Sequence, residues 1–309
     1  MDYMIIIRNL LVIFGMIGVG FAAGKARVVS DRASADFTSF MMKVALPCMI
    51  FQSMLREFEM SMLRDSVIGV VVCAALIFLT LGLCQAVSGF LRIKTIRRGT
   101  WIMSSTFGNS GFMGFPLILA IFGQDGLFLA AVMGISYLSI QYTLCVKMMC
   151  SYSGASGEAV RWRSIILSGP NIAMALGLIF FVTQLSLPSP VMQVISGFAG
   201  ITTPLSMFLI GLSLSGGKLS KVFRDRDILS CCVMRLLLIP FLTALILRAL
   251  PMVSDLLAGV ILLSFAMPCP SLGMIFSQQY GGDVEMGSGA IFLSSLLCLI
   301  TVPLIMLLL

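Results

Sequence analysis

No histidine occurs among the 309 residues, and only 11% of them are charged. The first absence removes imidazole acid–base chemistry, histidine metal sites and histidine proton relays. The second removes a soluble surface, which in an ordinary domain draws on roughly 25% charged residues. Twenty Lys+Arg and thirteen Asp+Glu cannot form a polar skin for a chain of this length. The nine cysteines carry no CxxC spacing, and Cys48, Cys73, Cys84, Cys145, Cys231, Cys232, Cys269 and Cys298 sit within apolar runs. They read as small packing residues with free thiols, not as a metal site or a disulfide framework. What is present is apolar: 59% hydrophobic residues and a mean hydropathy of +1.08. Disorder, collagen-like repeats and a secreted disulfide scaffold are excluded by the same composition. The chain reads as an all-α polytopic membrane protein.

A bilayer core takes about 20 apolar residues per helix. Ten stretches qualify: 4–23, 36–55, 66–91, 100–122, 127–149, 165–184, 191–214, 228–250, 256–277 and 286–309. The first lacks a basic leader and a clear cleavage site, so it is expected to be retained. With the N-terminus outside, the cytoplasmic connections hold Lys25, Arg27, Arg32, Arg92, Lys94, Arg97, Arg98, Arg161, Arg163, Lys218, Lys221, Arg224 and Arg226. The opposite side holds only Arg56, Arg64 and Arg248. That asymmetry predicts both termini outside the cell membrane. It also makes the net charge of +7 a topology signal and not a nucleic-acid surface. Arg8, Lys43, Lys147 and Arg235 fall inside spans, each within about two turns of an end, where a long side chain can snorkel.

A polar, Gly/Ser-rich connection at 150–164 divides the chain into two sets of five spans, 1–149 and 165–309. Five is odd, so homologous halves would be inverted in the membrane. Pro47 has a counterpart in Pro204 at an offset of 157 residues, and Pro116 one in Pro268 at 152. Near-equal offsets fit an inverted repeat. The fourth span clusters Gly108, Gly111, Gly114 and Pro116 around Asn109 and Ser110, and the ninth places Pro268, Pro270 and Gly273 around Ser271. Proline removes a backbone donor and glycine weakens a helix. In hydrocarbon such breaks survive only inside protein or beside a water-filled cavity. Two proline-kinked packing helices are the plain alternative; breaks at corresponding positions of two halves point to a midplane substrate site.

Helices restarting at Pro116 and near Ser271 would aim positive dipole ends and amides at the membrane centre, which suits a carboxylate. Asn109, Ser110 and Ser271 add neutral hydrogen-bonding groups. Asp2, Asp31, Asp36, Glu57, Glu59, Asp65, Asp125, Glu158, Asp225, Asp227, Asp255, Asp283 and Glu285 all map to loops or span ends. The midplane acid of a cation antiporter is therefore missing. Arg235 carries two readings. Either it snorkels to the cytoplasmic interface, or it pairs with backbone carbonyls at a break and gives electrostatic support to an anion site.

In these residues the chain resembles the auxin efflux carrier family, which holds plant auxin exporters and bacterial organic-acid permeases. GFAAGKARVVS is similar to the family's opening segment and FTSFMMKVALPCMIF to its second span. TWIMSSTFGNSGFMGFPLILAIFG matches its broken helix, with an Asn before Met-Gly-x-Pro. SGPNIAMALG is similar to the Asn-Pro start of the second half, VMRLLLIP to the eighth span and FAMPCPSLGMIFSQQYGGD to the second broken helix. The resemblance implies an inverted-repeat fold whose fourth and ninth helices cross at their breaks. It further implies elevator-type alternating access on a scaffold of the first, second, sixth and seventh helices, in a homodimer. It implies organic anions bound beside the crossing, with Asn109 on the substrate carboxylate and Gly114, Pro116, Pro268 and Pro270 shaping the site. Two departures make a small acid such as malate the expected cargo, with auxin-like acids as the alternative. Gly169 stands in place of the first Asn of the Asn-Pro start, and the long loop of many plant exporters is absent.

Three function classes follow. A secondary transporter of organic anions, working as a potential-driven exporter or as a proton- or sodium-coupled symporter, absorbs the paired breaks. An intramembrane enzyme lacks histidine, a midplane carboxylate and a base for Ser110 or Cys269. A scaffold or sensor gives no reason for the breaks. No cofactor or metal is expected; the partners are a small organic acid and membrane lipids.

Overall fold

The structure is a computed structural model that describes residues 3–153, 167–216 and 222–307. Most of the 150–164 connection, with Glu158, Arg161 and Arg163, lies outside the described residues, as do Asp2, Lys218 and Lys221. The described residues form helices and no strand. In chain order they are α1 (Tyr3–Lys25), α2 (Asp31–Phe40), α3 (Leu46–Met54), α4 (Met60–Phe90), α5 (Thr95–Thr106), α6 (Phe115–Ile140) and α7 (Val146–Ser153). There follow α8 (Gly169–Thr183), α9 (Ser189–Ser215), α10 (Arg226–Val233), α11 (Ile239–Arg248), α12 (Asp255–Ala266), α13 (Ser271–Tyr280) and α14 (Val284–Met306).

Proline explains three of the four π-helical turns that join these segments. Met41–Ala45, Ser110–Gly114 and Met234–Leu238 each end two residues before a proline, at Pro47, Pro116 and Pro240. A proline cannot donate to the carbonyl four residues back. The helix widens instead: Leu46 N donates to Met41 O, and Ile239 N to Met234 O, five residues back.

Among the described residues, five helical stretches are long and apolar enough to cross a bilayer: Met60–Phe90, Thr95–Ser153, Ser189–Ser215, Arg226–Arg248 and Val284–Met306. The pair α12 and α13, bent by 49° at its break, makes a sixth. The difference from ten apolar stretches has local causes. The fourth and fifth stretches fall in one candidate span, Thr95–Ser153, which is interrupted between Thr106 and Ser110 and kinked at Gly123 with φ +67°. Its 59 residues would span about 90 Å as a straight helix, three times a hydrocarbon core of about 30 Å. The second stretch is divided into α2, a π turn and α3, while Leu11–Lys25 and Gly169–Thr183 are shorter apolar helices.

The chain packs into two compact units, each drawing on both sequence halves. One comprises Met1–Val67, Phe115–Val132 and Arg161–Gly216; the other Ile68–Gly114, Met133–Val160 and Gly217–Leu309. In the first unit α1 and α9 approach backbone to backbone. A Cβ on Gly20 would overlap the Phe208 backbone, and one on Gly211 the Ile17 carbonyl. Arg56 closes one end of this unit, paired with Asp125 at 2.6 Å and stacked over Phe128.

In the second unit α14 packs against α5, α10, α12 and α13 around buried Trp101, Phe107, Phe265 and Leu293. One end is tied by Arg97, which donates to Asp225 (2.8 Å), Asp227 (3.1 Å) and Asp283 (2.9 Å). Burial works against ionised Asp225. The Arg97 guanidinium and the amides of Ile228 and Asp227 prevail, holding the carboxyl below its usual range.

Candidate functional site

The second unit brings the two helix interruptions into contact. The first lies between Thr106, where α5 ends, and Ser110; the second between Ala266 and Ser271. Asn109 N donates to Pro268 O at 2.8 Å, and Asn109 Nδ2 reaches Ser271 Oγ at 3.4 Å. Asn109 also starts the next helix. Its Oδ1 accepts from Phe112 N (3.3 Å), and its backbone oxygen from Met113 N (3.2 Å) and Gly114 N (3.0 Å). The helix thus restarts at Ser110, six residues ahead of the expected Pro116. An asparagine cap serves a helix start better than a proline alone; Pro116 follows within the continuing helix, where the π turn Ser110–Gly114 accommodates its missing donor. The second restart falls at Ser271, as read from the sequence, with Pro270 immediately before it.

The remaining site candidates divide. Gly114 is buried and lies against Met267 and Ser110. Pro268 and Pro270 are buried in the second break, whose one amide donor between them, Cys269 N, is bound by Ser294 Oγ at 2.9 Å. Ser110 and Ser271 are half-buried, and Asn109 is 9% exposed. Pro116 is buried within the part of α6 that belongs to the first unit.

Arg235 does not snorkel. Arg8, Lys43 and Lys147 are exposed, whereas Arg235 is 0% exposed. Its Nη1 donates to Thr106 O (2.7 Å), its Nε to Met267 O (2.8 Å) and its Nη2 to Ser264 O (3.2 Å). The π turn Met234–Leu238 that carries it is the one Pro240 imposes. Gly108 makes room: a Cβ there would collide with the guanidinium and stand 3.0 Å from Met267 Cβ.

Sequence reasoning passed over Tyr137. Its hydroxyl accepts from Gly108 N and donates to Gly108 O (3.3 Å), while its ring packs edge-on against Phe107 and Phe265, one from each interrupted span. A tyrosine in an apolar run, one of five in the chain, was the available signal. The thiols of Cys231 and Cys269 stand 3.9 Å apart, buried and unlinked. Among the described residues no group of His, Cys, Asp and Glu could hold a metal ion. A cavity of about 1240 Å³ in the first unit, lined by Lys25, Arg27, Ser30, Ser34, Ser213 and Ser215 among others, includes no residue of either break.

The chain can also be set beside known proteins. A family described as Membrane transport protein matches residues 5–160 and 155–306. An uncharacterized transporter of Methanothermobacter thermautotrophicus is 27% identical over 305 residues, covering 96% of each chain. One of Methanocaldococcus jannaschii is 23% identical, over 95% of this chain and 96% of its own. A Rhizobium meliloti protein whose name proposes malonate transport is 23% identical, over 94% of this chain and 91% of its own. An integral, all-helical membrane chain with two interrupted helices in contact, matched along nearly its whole length, belongs to the auxin efflux carrier-type family of membrane transport proteins.

Proposed function

We propose that the chain is a secondary transporter of small organic anions, carboxylates such as malate or malonate, bound at the paired breaks. The observation that carries this reading is the Asn109–Pro268 contact, which puts two helix starts and the polar groups of Asn109 and Ser271 in one place. None of residues 104–116 or 264–274 is acidic, so the amide ends meet no competing carboxylate from their own segments. The Rhizobium meliloti relative's name supports a small carboxylate.

The ten apolar stretches are taken as two inverted sets of five, 1–149 and 165–309, with the fourth and ninth broken. The gathering of α1, α2, α3, α8 and α9 in one unit supports a scaffold of the first, second, sixth and seventh spans. The other unit then moves the substrate by an elevator-type motion. The protein works as a homodimer among the lipids of the cytoplasmic membrane, both termini outside. An interior-negative potential drives an anion outward by about 2.3 kcal/mol per charge per 100 mV, so export needs no coupling ion.

The test is flux of radiolabelled malate and malonate in proteoliposomes holding the purified protein, with imposed potential, pH and sodium gradients. Flux that follows the potential alone supports uniport, and acceleration by a proton or sodium gradient replaces uniport with symport. Carboxylate flux no greater than in empty liposomes overturns the reading.

A further inference from the structure

Two interrupted helices have four inner ends. Each helix end carries roughly half an elementary charge, positive at the amide end and negative at the carbonyl end. Here the carbonyl ends are those of α5 and α12, and the amide ends open at Ser110 and Ser271. Left alone, two positive and two negative ends cancel, and a ligand between them meets little net field.

The buried guanidinium breaks that balance. Thr106, Ser264 and Met267, which receive its three hydrogen bonds, lie at the ends of α5 and α12, where the last carbonyls have no partner within the helix. Two carbonyl ends of about −0.5 each are matched by one cation. Taking that cation out of water is costly unless each of its donors is matched. The three bonds go to backbone oxygens and not to a carboxylate, so the positive charge is spent on helix ends. Gly108 preserves the arrangement, since any side chain there would displace the guanidinium.

We propose that Arg235 is a positioning residue that sets the sign of the site: it cancels the carbonyl ends of α5 and α12, leaving the amide ends at Ser110 and Ser271 to select an anion. The inference deepens the carboxylate-transport reading and rests on it. The uncancelled charge is about +1, which matches one carboxylate group. A neutral isostere meets no compensating charge, a cation is repelled, and the second carboxylate of a dicarboxylate gains little.

The experiment is calorimetric binding to the full-length protein in detergent, with malonate, its monoamide and its diamide as probes of equal shape. Wild type is expected to bind the monoamide within about tenfold of malonate and the diamide at least 100-fold more weakly. Arg235→Gln is expected to weaken malonate at least 50-fold and the diamide less than threefold, collapsing the discrimination. Arg235→Lys, which keeps the charge and loses the planar fork, recovers most of the discrimination while losing much of the transport. A purely structural Arg235 would weaken all three probes alike in the Gln variant, and that result overturns the proposal. If Arg235→Gln does not fold, the wild-type series decides: equal affinity for malonate and its diamide overturns it. Failure of wild type to bind any carboxylate overturns the transport reading itself, whereas carboxylate binding with unchanged discrimination in Arg235→Gln overturns only the role of Arg235.

Discussion

The two breaks reach the same place by different chemistry. The first is held open by hydrogen bonds: Asn109 caps the turn after it, Tyr137 binds both polar atoms of Gly108, and Arg235 takes the carbonyl of Thr106. The second shares Arg235, through the carbonyls of Met267 and Ser264, and adds missing donors. Pro268 and Pro270 have no amide to give, and the amide between them is bound by Ser294. A break made of side-chain bonds is easily lost by a single substitution. One made of ring constraint is lost only by restoring a donor.

The largest effect expected from this contrast comes from filling the first break. Gly108→Val should cost about 3 kcal/mol or more, because it overpacks the site and displaces a buried cation. Gly111→Val, three residues on, meets nothing within 4 Å and should change thermal stability little. Similar melting temperatures for the two variants would mean that the guanidinium does not occupy the space beside Gly108.

Asn109→Ala should come next. Losing a hydrogen bond to a charged ligand costs about 1.5–3 kcal/mol, roughly 10- to 150-fold in affinity. The fold should survive, since Asn109 N and its carbonyl remain in place. Carboxylate affinity equal to wild type would remove Asn109 from the site.

The prolines should separate. Pro268→Ala restores an amide in the second break and is expected to lower transport severalfold while barely moving the melting temperature. Pro116→Ala restores a donor behind the π turn Ser110–Gly114 but leaves the Asn109 cap in place, and should lower transport less than Pro268→Ala does. The double variant should resemble Pro268→Ala more than Pro116→Ala. Equal losses from the two single variants would show the breaks to be ordinary kinks.

The smallest expected effect is a pH dependence outside both breaks. The folded carboxyl of Asp225 is held below its unfolded value, so the stability it lends is fully present above about pH 4 and lost as pH falls through its folded value. Asp225→Asn should flatten the part of the unfolding profile below about pH 4. An unchanged acid limb would assign the loss to other carboxylates.

Much of this was legible beforehand, because glycine and proline in a hydrocarbon environment have few uses. Gly108, Asn109, Pro268, Pro270 and Ser271 announce breaks by their own backbone chemistry. Where the first helix restarts was not legible: proline marks a tolerated start, whereas the Asn109 cap that fixes the start at Ser110 depends on local backbone geometry. Arg235 was ambiguous for a different reason. Its distance from the span end allows snorkelling in a straight helix, and the π turn before Pro240, which re-aims it, alters the register.

The sequence by itself determined that this chain crosses a membrane, that its basic residues cluster in short connections between apolar stretches, and that glycine and proline interrupt two of those stretches without an acid beside them. Composition and residue type suffice for such statements, since the cost of placing each residue type in hydrocarbon is set first by its own chemistry, before any partner is known. Only the tertiary structure decided that the two breaks touch, that Arg235 is wholly buried against their carbonyl ends, and that Tyr137 braces Gly108. Those facts join residues 29 to 162 positions apart, and pairings at that range are set by packing and not by any local preference of the chain.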